Sequence, residues 1–156
     1  MLFPICVVKH SEDPKKRNYK GRVVFQGNNI RGEFGLQEFF PDQGSGASFM
    51  TASRVLDAVS LLPNNSGQQS DAPQAYTQCN FGIGSEDLAD TWIELPREQW
   101  PKHWHGMSDT VCPLVLALYG HPLSGTFWEN YYSEIAITCG FEPIQAWECL
   151  YIHRGL

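Results

Sequence analysis

Asp71 opens the segment Asp71-Ala72-Pro73-Gln74-Ala75-Tyr76, which sets a carboxylate five residues ahead of a phenol ring. An ionised carboxylate can hold a divalent magnesium against phosphate oxygens, the positioning and charge neutralisation that dominate phosphoryl transfer. The same residue type at a strand end also serves as a turn or cap residue. Lys20 and Arg22 alternate with Gly21 and Val23, so on a strand both point to one face, where they can contact phosphates whatever the base sequence. His103-x-His105 with Cys112 offers three zinc-type donors, but no fourth follows at ligand spacing and two tryptophans flank the site; an exposed loop around Trp100-Pro101-Lys102 is the plain alternative. Glu86-Asp87 sits among glycine, serine and alanine, the setting of a solvated loop pair. No Ser-His-Asp elbow, glycine-rich phosphate loop or Cys-x-x-Cys pair appears.

Mixed elements must position these groups. A strand over 22–26 carries Arg22, and Gly27-Asn28-Asn29 turns it. Residues 32–46 read as a loop anchored by Phe34, Leu36, Phe39 and Phe40. Ser48 can cap a helix on which Ala52, Val55, Leu56, Val59 and Leu62 form an apolar face expected in the core, until Pro63-Asn64-Asn65 stops it. A polar run over 66–70 then leads into a short strand ending at Asp71. Residues 77–95 read as a hairpin or loop excursion, with Gly82 and Gly84 at the bend and Thr91-Trp92-Ile93-Glu94-Leu95 returning. A short buried strand over 111–118, broken by Pro113, precedes the turn Tyr119-Gly120-His121-Pro122. Beyond it, Leu123, Phe127, Tyr131, Ile135 and Cys139 recur every fourth residue, and Gly140 ends the pattern as a C-terminal cap would, so this aromatic-rich face is expected to pack on the sheet. The fold class is α+β: a small antiparallel sheet packed with two main helices.

With 156 residues and 42% hydrophobic content the chain can bury one core, and nothing in it calls for a second domain. The apolar run at 2–8 is interrupted by Pro4, with no basic region before it and no small-residue cleavage site after it, so it is not a signal peptide. No apolar stretch approaches the roughly 18 residues of a membrane span. Five cysteines without close pairing fit reduced thiols in an intracellular protein, cytoplasmic or nuclear. Residues 1–31 hold seven basic residues and two acids, a balance of +5, whereas 32–156 hold four bases and fifteen acids, a balance of −11. The basic N-terminal part suits phosphate; the acidic remainder opposes a strong free-standing grip on nucleic acid.

The ordered motifs resemble one family. Tyr19-Lys20-Gly21-Arg22-Val23-Val24-Phe25-Gln26-Gly27-Asn28 is similar to the fingers motif of the copia-type long-terminal-repeat retrotransposon reverse transcriptase, with its Tyr-Lys-x-Arg-Leu-Val core. Asp71 to Tyr76 resembles the first metal-binding motif of that palm. Thr91-Trp92-Ile93-Glu94-Leu95-Pro96 fills the place of its Val-Tyr-Met-x-Gln-Pro segment, and Leu118-Tyr119-Gly120-His121-Pro122-Leu123-Ser124-Gly125-Thr126-Phe127-Trp128 resembles its Leu-Tyr-Gly-Leu-Lys-Gln-Ala-Pro-Arg-x-Trp motif. The resemblance covers roughly residues 15–152, leaving 1–14 as an N-terminal extension and 15–156 as a partial fingers/palm domain.

The resemblance implies an RNA-directed DNA polymerase that binds deoxynucleotide triphosphate and an RNA/DNA template–primer. Asp71, with the backbone of Ala72, would hold Mg2+. Tyr76 would exclude a 2′-hydroxyl from the sugar site. Lys20, Arg22, Ala72, Tyr76, Tyr119 and Gly120 would bind nucleotide, and Ser124 would lie near the primer–template. His121-Pro122-Leu123-Ser124-Gly125 departs from the family's Leu-Lys-Gln-Ala-Pro and loses a basic residue. The second metal motif, Tyr-x-Asp-Asp, is absent, since no Asp-Asp occurs in the chain. Two-metal chemistry needs carboxylates converging from separate segments around ions roughly 3.5–4 Å apart. The sequence therefore predicts a fingers/palm portion with little or no polymerase activity alone, prone to self-associate through an open sheet edge. The alternatives are a non-catalytic nucleotide- or nucleic-acid-binding remnant and an unrelated soluble α/β domain with a structural Asp71.

Overall fold

The computed structural model describes residues 2–40, 48, 50–81 and 90–155. The chain opens with a hairpin of β1 (Leu2–Lys9) and β2 (Asn18–Phe25), antiparallel from Leu2↔Phe25 to Lys9↔Asn18. The strand expected over 22–26 begins at Asn18 instead, and the expected boundary between an extension at 1–14 and the remainder falls in the connection between the paired strands. Asp13 shapes this connection, accepting the Lys15 N–H through Oδ1 at 3.0 Å and the Lys16 N–H through its carbonyl at 3.0 Å. The Phe25 N–H points away from β1, to the Tyr119 carbonyl at 2.7 Å. Antiparallel alternation then turns Pro4 outward as well, so proline's missing N–H costs the β1–β2 ladder nothing.

Only one end of the hairpin is buried. Leu2 and Phe25 join the core, while Phe3, Ile5, Val7, Tyr19 and Val23 are exposed. The core continues through Cys79, Phe81, Ile93, Leu114 and Ala117, with Phe127, Trp128 and Tyr131 packed against it. An extended stretch over 111–117 organises it. Its first part is β4 (Val111–Pro113), antiparallel to β3 (Trp92–Glu94), and the Leu114 N–H extends that pairing to the Thr91 carbonyl. Its second part pairs with 79–81: the Phe81 N–H donates to the Val115 carbonyl at 2.8 Å and the Ala117 N–H to the Cys79 carbonyl at 3.0 Å. One segment thus brings its own Leu114 and Ala117 together with Cys79, Phe81 and Ile93 of its neighbours, each burial being worth about 1.5–3 kcal/mol for a large residue.

The longer helix covers the core with its first two turns. It spans Ser124–Thr138 and is labelled α2, following α1 (Met50–Ser60). Gly140, at φ 89°, ends it: its N–H reaches the Ile137 carbonyl and the Phe141 N–H the Ala136 carbonyl, the paired bonds of a Schellman cap. The expected every-fourth-residue stripe packs inward at Phe127 and Tyr131 but emerges into solvent at Ile135 and Cys139. A last ribbon, β5 (Glu142–Pro143) and β6 (Tyr151–Ile152), is clipped by the Arg154 Nε–Glu142 Oε2 pair at 2.9 Å.

Three expectations need correction. The α1 stripe is not a core face, for Val55, Leu56 and Val59 are each about half exposed and, within the helix, Ala52 alone is buried. Phe34, Leu36 and Phe39 are not anchors, being exposed on a small turn held by the Arg31↔Gln37 bridge, and only Phe40 turns inward. The strand ending at Asp71 is absent, because the polar, glycine-containing run before it has neither alternation nor β-branched residues to pair. Glu86-Asp87, Gly82, Gly84 and residues 41–46 lie outside the described residues. The class is α+β, with two main helices and, among the described residues, three two-stranded antiparallel ribbons. No helix there is long and apolar enough to cross a membrane.

Candidate functional site

The loop over 118–124 joins the extended core segment to α2, and its geometry depends on a glycine. Gly120 adopts φ 89°, and a Cβ there would fall on the Phe25 carbonyl oxygen and press on Val24 Cγ1. A Cβ on Gly27 would meet the Gly120 carbonyl in turn. Two backbones are therefore in direct contact, which requires the absence of both side chains. The Phe25 N–H bond to the Tyr119 carbonyl completes this junction.

That contact brings together residues far apart in sequence. The Arg22 guanidinium carbon lies 5.8 Å from the Tyr119 ring centroid, within cation–π range. Tyr76 is next to the same ring, its centroid 4.7 Å from that of Tyr119 with the planes inclined at 51°. A one-turn 3₁₀ helix at Ala75–Gln78 presents Tyr76; Gln74, at φ 54°, starts it, and the Gln78 side chain donates back to the Pro73 carbonyl at 2.8 Å. Lys20 shares Arg22's face of β2, two residues further out, and both are exposed. Arg22, Tyr76, Tyr119 and Gly120 thus form one cluster, with Lys20 at its rim.

The other expected site residues are placed differently. Asp71 and Ala72 lie on the exposed, irregular approach to the Tyr76 turn. Asp71 makes no ion pair or hydrogen bond among the described residues, and no group of three or more His, Cys, Asp or Glu converges there to hold a metal. This holds for His103, His105 and Cys112 too. Ser124 is 1% exposed, and its hydroxyl donates to the Leu118 carbonyl at 2.6 Å while accepting the Leu118 N–H at 3.1 Å. Its hydroxyl closes the loop from a buried position.

His121 is the residue that sequence reasoning missed. It is 4% exposed, with Nδ1 accepting the Leu123 N–H at 3.2 Å. The rings of Phe25 and Phe81 enclose it at 4.9 and 4.5 Å. Burial pushes its pKa from 6.5 down to about 4, since the surroundings disfavour the cation. Burial likewise raises the thiols of Cys79 and Cys112, leaving them protonated and poor nucleophiles. The sequence signal was faint: a histidine beside proline in a turn, with its three phenylalanine neighbours scattered along the chain.

Chemically, the cluster offers two aromatic faces and a guanidinium on an exposed, basic strand. Such a surface can stack on planar rings and contact phosphate. No family model matches the chain, and neither a curated protein nor a solved structure matches it.

Proposed function

We propose that the chain is the fingers/palm portion of a copia-like RNA-directed DNA polymerase, acting through a nucleotide- and polynucleotide-binding surface made by Lys20, Arg22, Tyr76, Tyr119 and Gly120. One observation carries this reading: Arg22 over the Tyr119 ring, with Tyr76 beside it. Three motifs that the resemblance linked only by order along the chain meet at one spot. In such a surface the guanidinium and Lys20 contact phosphates, and the rings stack on bases.

The ancestry assigns magnesium to Asp71 and the Ala72 backbone. The donor set does not fit a two-metal centre, because Asp71 contributes one carboxylate and the described residues bring no others to it. Binding is therefore what the geometry supports.

Fluorescence anisotropy of a labelled single-stranded oligonucleotide tests this. Affinity is expected to fall with salt, and Arg22→Ala to weaken it and reduce the slope of log K against log salt by about one. Tyr119→Ala should cost about 1–3 kcal/mol of binding without changing that slope. Salt-independent binding, or binding indifferent to Arg22, would rule the proposal out.

A second reading, an unrelated α+β domain with Asp71 as a plain surface residue, is favoured by the missing strand before Asp71. It predicts no oligonucleotide binding at all.

A further inference from the structure

The junction between the hairpin and the Tyr119 loop is built around an imidazole. Phe25 from β2, Phe40 from the loop after it and Phe81 from the core put their rings 4.9, 5.9 and 4.5 Å from that of His121. Three separate segments therefore meet on one side chain. Nδ1 accepts the Leu123 N–H, so the uncharged ring carries its proton on Nε2, which is buried without a hydrogen-bond partner. A second proton has only Nδ1 to go to. It would set two donors against each other across 3.2 Å, and the ring would have to leave that contact.

The surroundings offer the cation little compensation. The charged and titratable groups on the elements around it are Tyr19, Lys20 and Arg22 on β2, Glu38 near Phe40, Cys79 near Phe81, Tyr119 in its own loop, and Glu129, Tyr131, Tyr132 and Glu134 on α2. None hydrogen-bonds or ion-pairs with the ring. Ring faces recover part of the lost hydration, but Nδ1 still loses its bond.

We propose that His121 is a proton-operated joint. Uncharged, it clamps the β1–β2 hairpin against the Tyr119 loop and so positions Arg22 over the ring; protonated, it leaves its aromatic cage and releases the hairpin. It is a positioning residue, acting on ligand only through Arg22 and Tyr119. The inference rests on the functional reading solely for what the released surface would stop binding; the joint itself needs no ligand.

The sign follows from linkage. The released state binds a proton near pH 6.5 and the docked state only near 4, so docking is most favoured above pH 6.5 and weakens as pH falls. A shift of that size corresponds to about 300-fold in the docking equilibrium.

Amide hydrogen exchange read by NMR, corrected for the intrinsic pH dependence, follows the Phe25 N–H that bonds to Tyr119. The wild-type chain is expected to lose Phe25 protection progressively between pH 6.5 and 4. His121→Asn keeps an acceptor for Leu123 but cannot titrate, so its protection is expected to stay flat. Equal loss in both chains, or full protection in the wild type at pH 4, overturns the joint. If the variant does not fold, the wild-type His121 Cε1 proton decides: it should titrate in step with the loss of Phe25 protection, and titration near 6.5 with Phe25 still protected would be fatal. Neither measurement contains polynucleotide, so absence of oligonucleotide binding would sink the functional reading and leave this one standing.

Discussion

The hairpin–loop junction and helix α1 carry similar apolar content to opposite ends. At the junction, Phe25 is 4% exposed, two glycine backbones touch, and an imidazole fills the space between rings. In α1, Val55, Leu56 and Val59 follow helical spacing equally well and remain about half in solvent. The difference is not hydrophobicity but partners. Phe25 meets the Tyr119–His121 loop because Gly27 and Gly120 let the chain approach, whereas on the α1 stripe only Ala52 is covered. An isolated helix of eleven residues is marginal in water, so α1 relies on local devices such as the Asn65 side chain donating to the Val59 carbonyl at 2.8 Å.

Substitutions can measure that contrast. Phe25→Ala removes a buried ring and opens a cavity, so denaturant unfolding should show a loss of about 4 kcal/mol; a loss below about 1 kcal/mol would show that the junction contributes little. Gly120→Ala places a methyl on the Phe25 carbonyl at a left-handed φ, with an expected cost of about 3 kcal/mol. The same change at Gly21, where a Cβ would meet nothing within 4 Å, should lie within about 0.5 kcal/mol of wild type. The His121 pKa, lowered to about 4 by burial, means that the unfolded chain binds more protons between 4 and 6.5. Stability therefore rises with pH through that window and levels off above it, a contribution of about 3 kcal/mol. Comparing melts of wild type and His121→Asn at pH 7 and 4.5 isolates this share. The smallest effects belong to exposed positions: Leu56→Ala on α1 and Arg22→Ala on β2 should each cost below about 1 kcal/mol of stability. Arg22→Ala should nonetheless weaken oligonucleotide binding, separating the surface's function from the fold's stability.

Local signals were readable where one residue type decides the outcome. Gly140 marked the end of α2, Pro63-Asn64-Asn65 the end of α1, and the alternation around Lys20 and Arg22 a strand with both cations on one face. Periodicity identifies an amphipathic face but does not reveal what covers it, hence the misplaced burial of Val55 and Leu56. The partnership of residues 2–9 with 18–25 was missed because the early apolar run was weighed only as a targeting segment. Of the site, Tyr119, Gly120, Tyr76 and Arg22 were named from motif order, and they are clustered. Ser124 stands at the buried start of α2, its hydroxyl bonded to Leu118, a bond that no sequence spacing announces. His121 was seen only as a departure from a motif, because its environment is assembled from Phe25, Phe40 and Phe81, which no window of sequence contains.

The single buried end of the hairpin has a mechanical consequence. Eight residues of strand at about 3.3 Å each make an arm roughly 25 Å long, pivoted at Phe25 and Gly120. Arg22 sits close to the fulcrum and the cluster Lys15-Lys16-Arg17 far from it. A tilt of about 10° at the pivot carries the tip through about 4 Å, by the geometry of such a strand, and Arg22, three residues from Phe25, through less than half of that. Charge at the tip therefore moves more than twice as far as the guanidinium beside the aromatic rings, so the two basic groups of one strand pair differ in reach because they lie at different distances from one pivot.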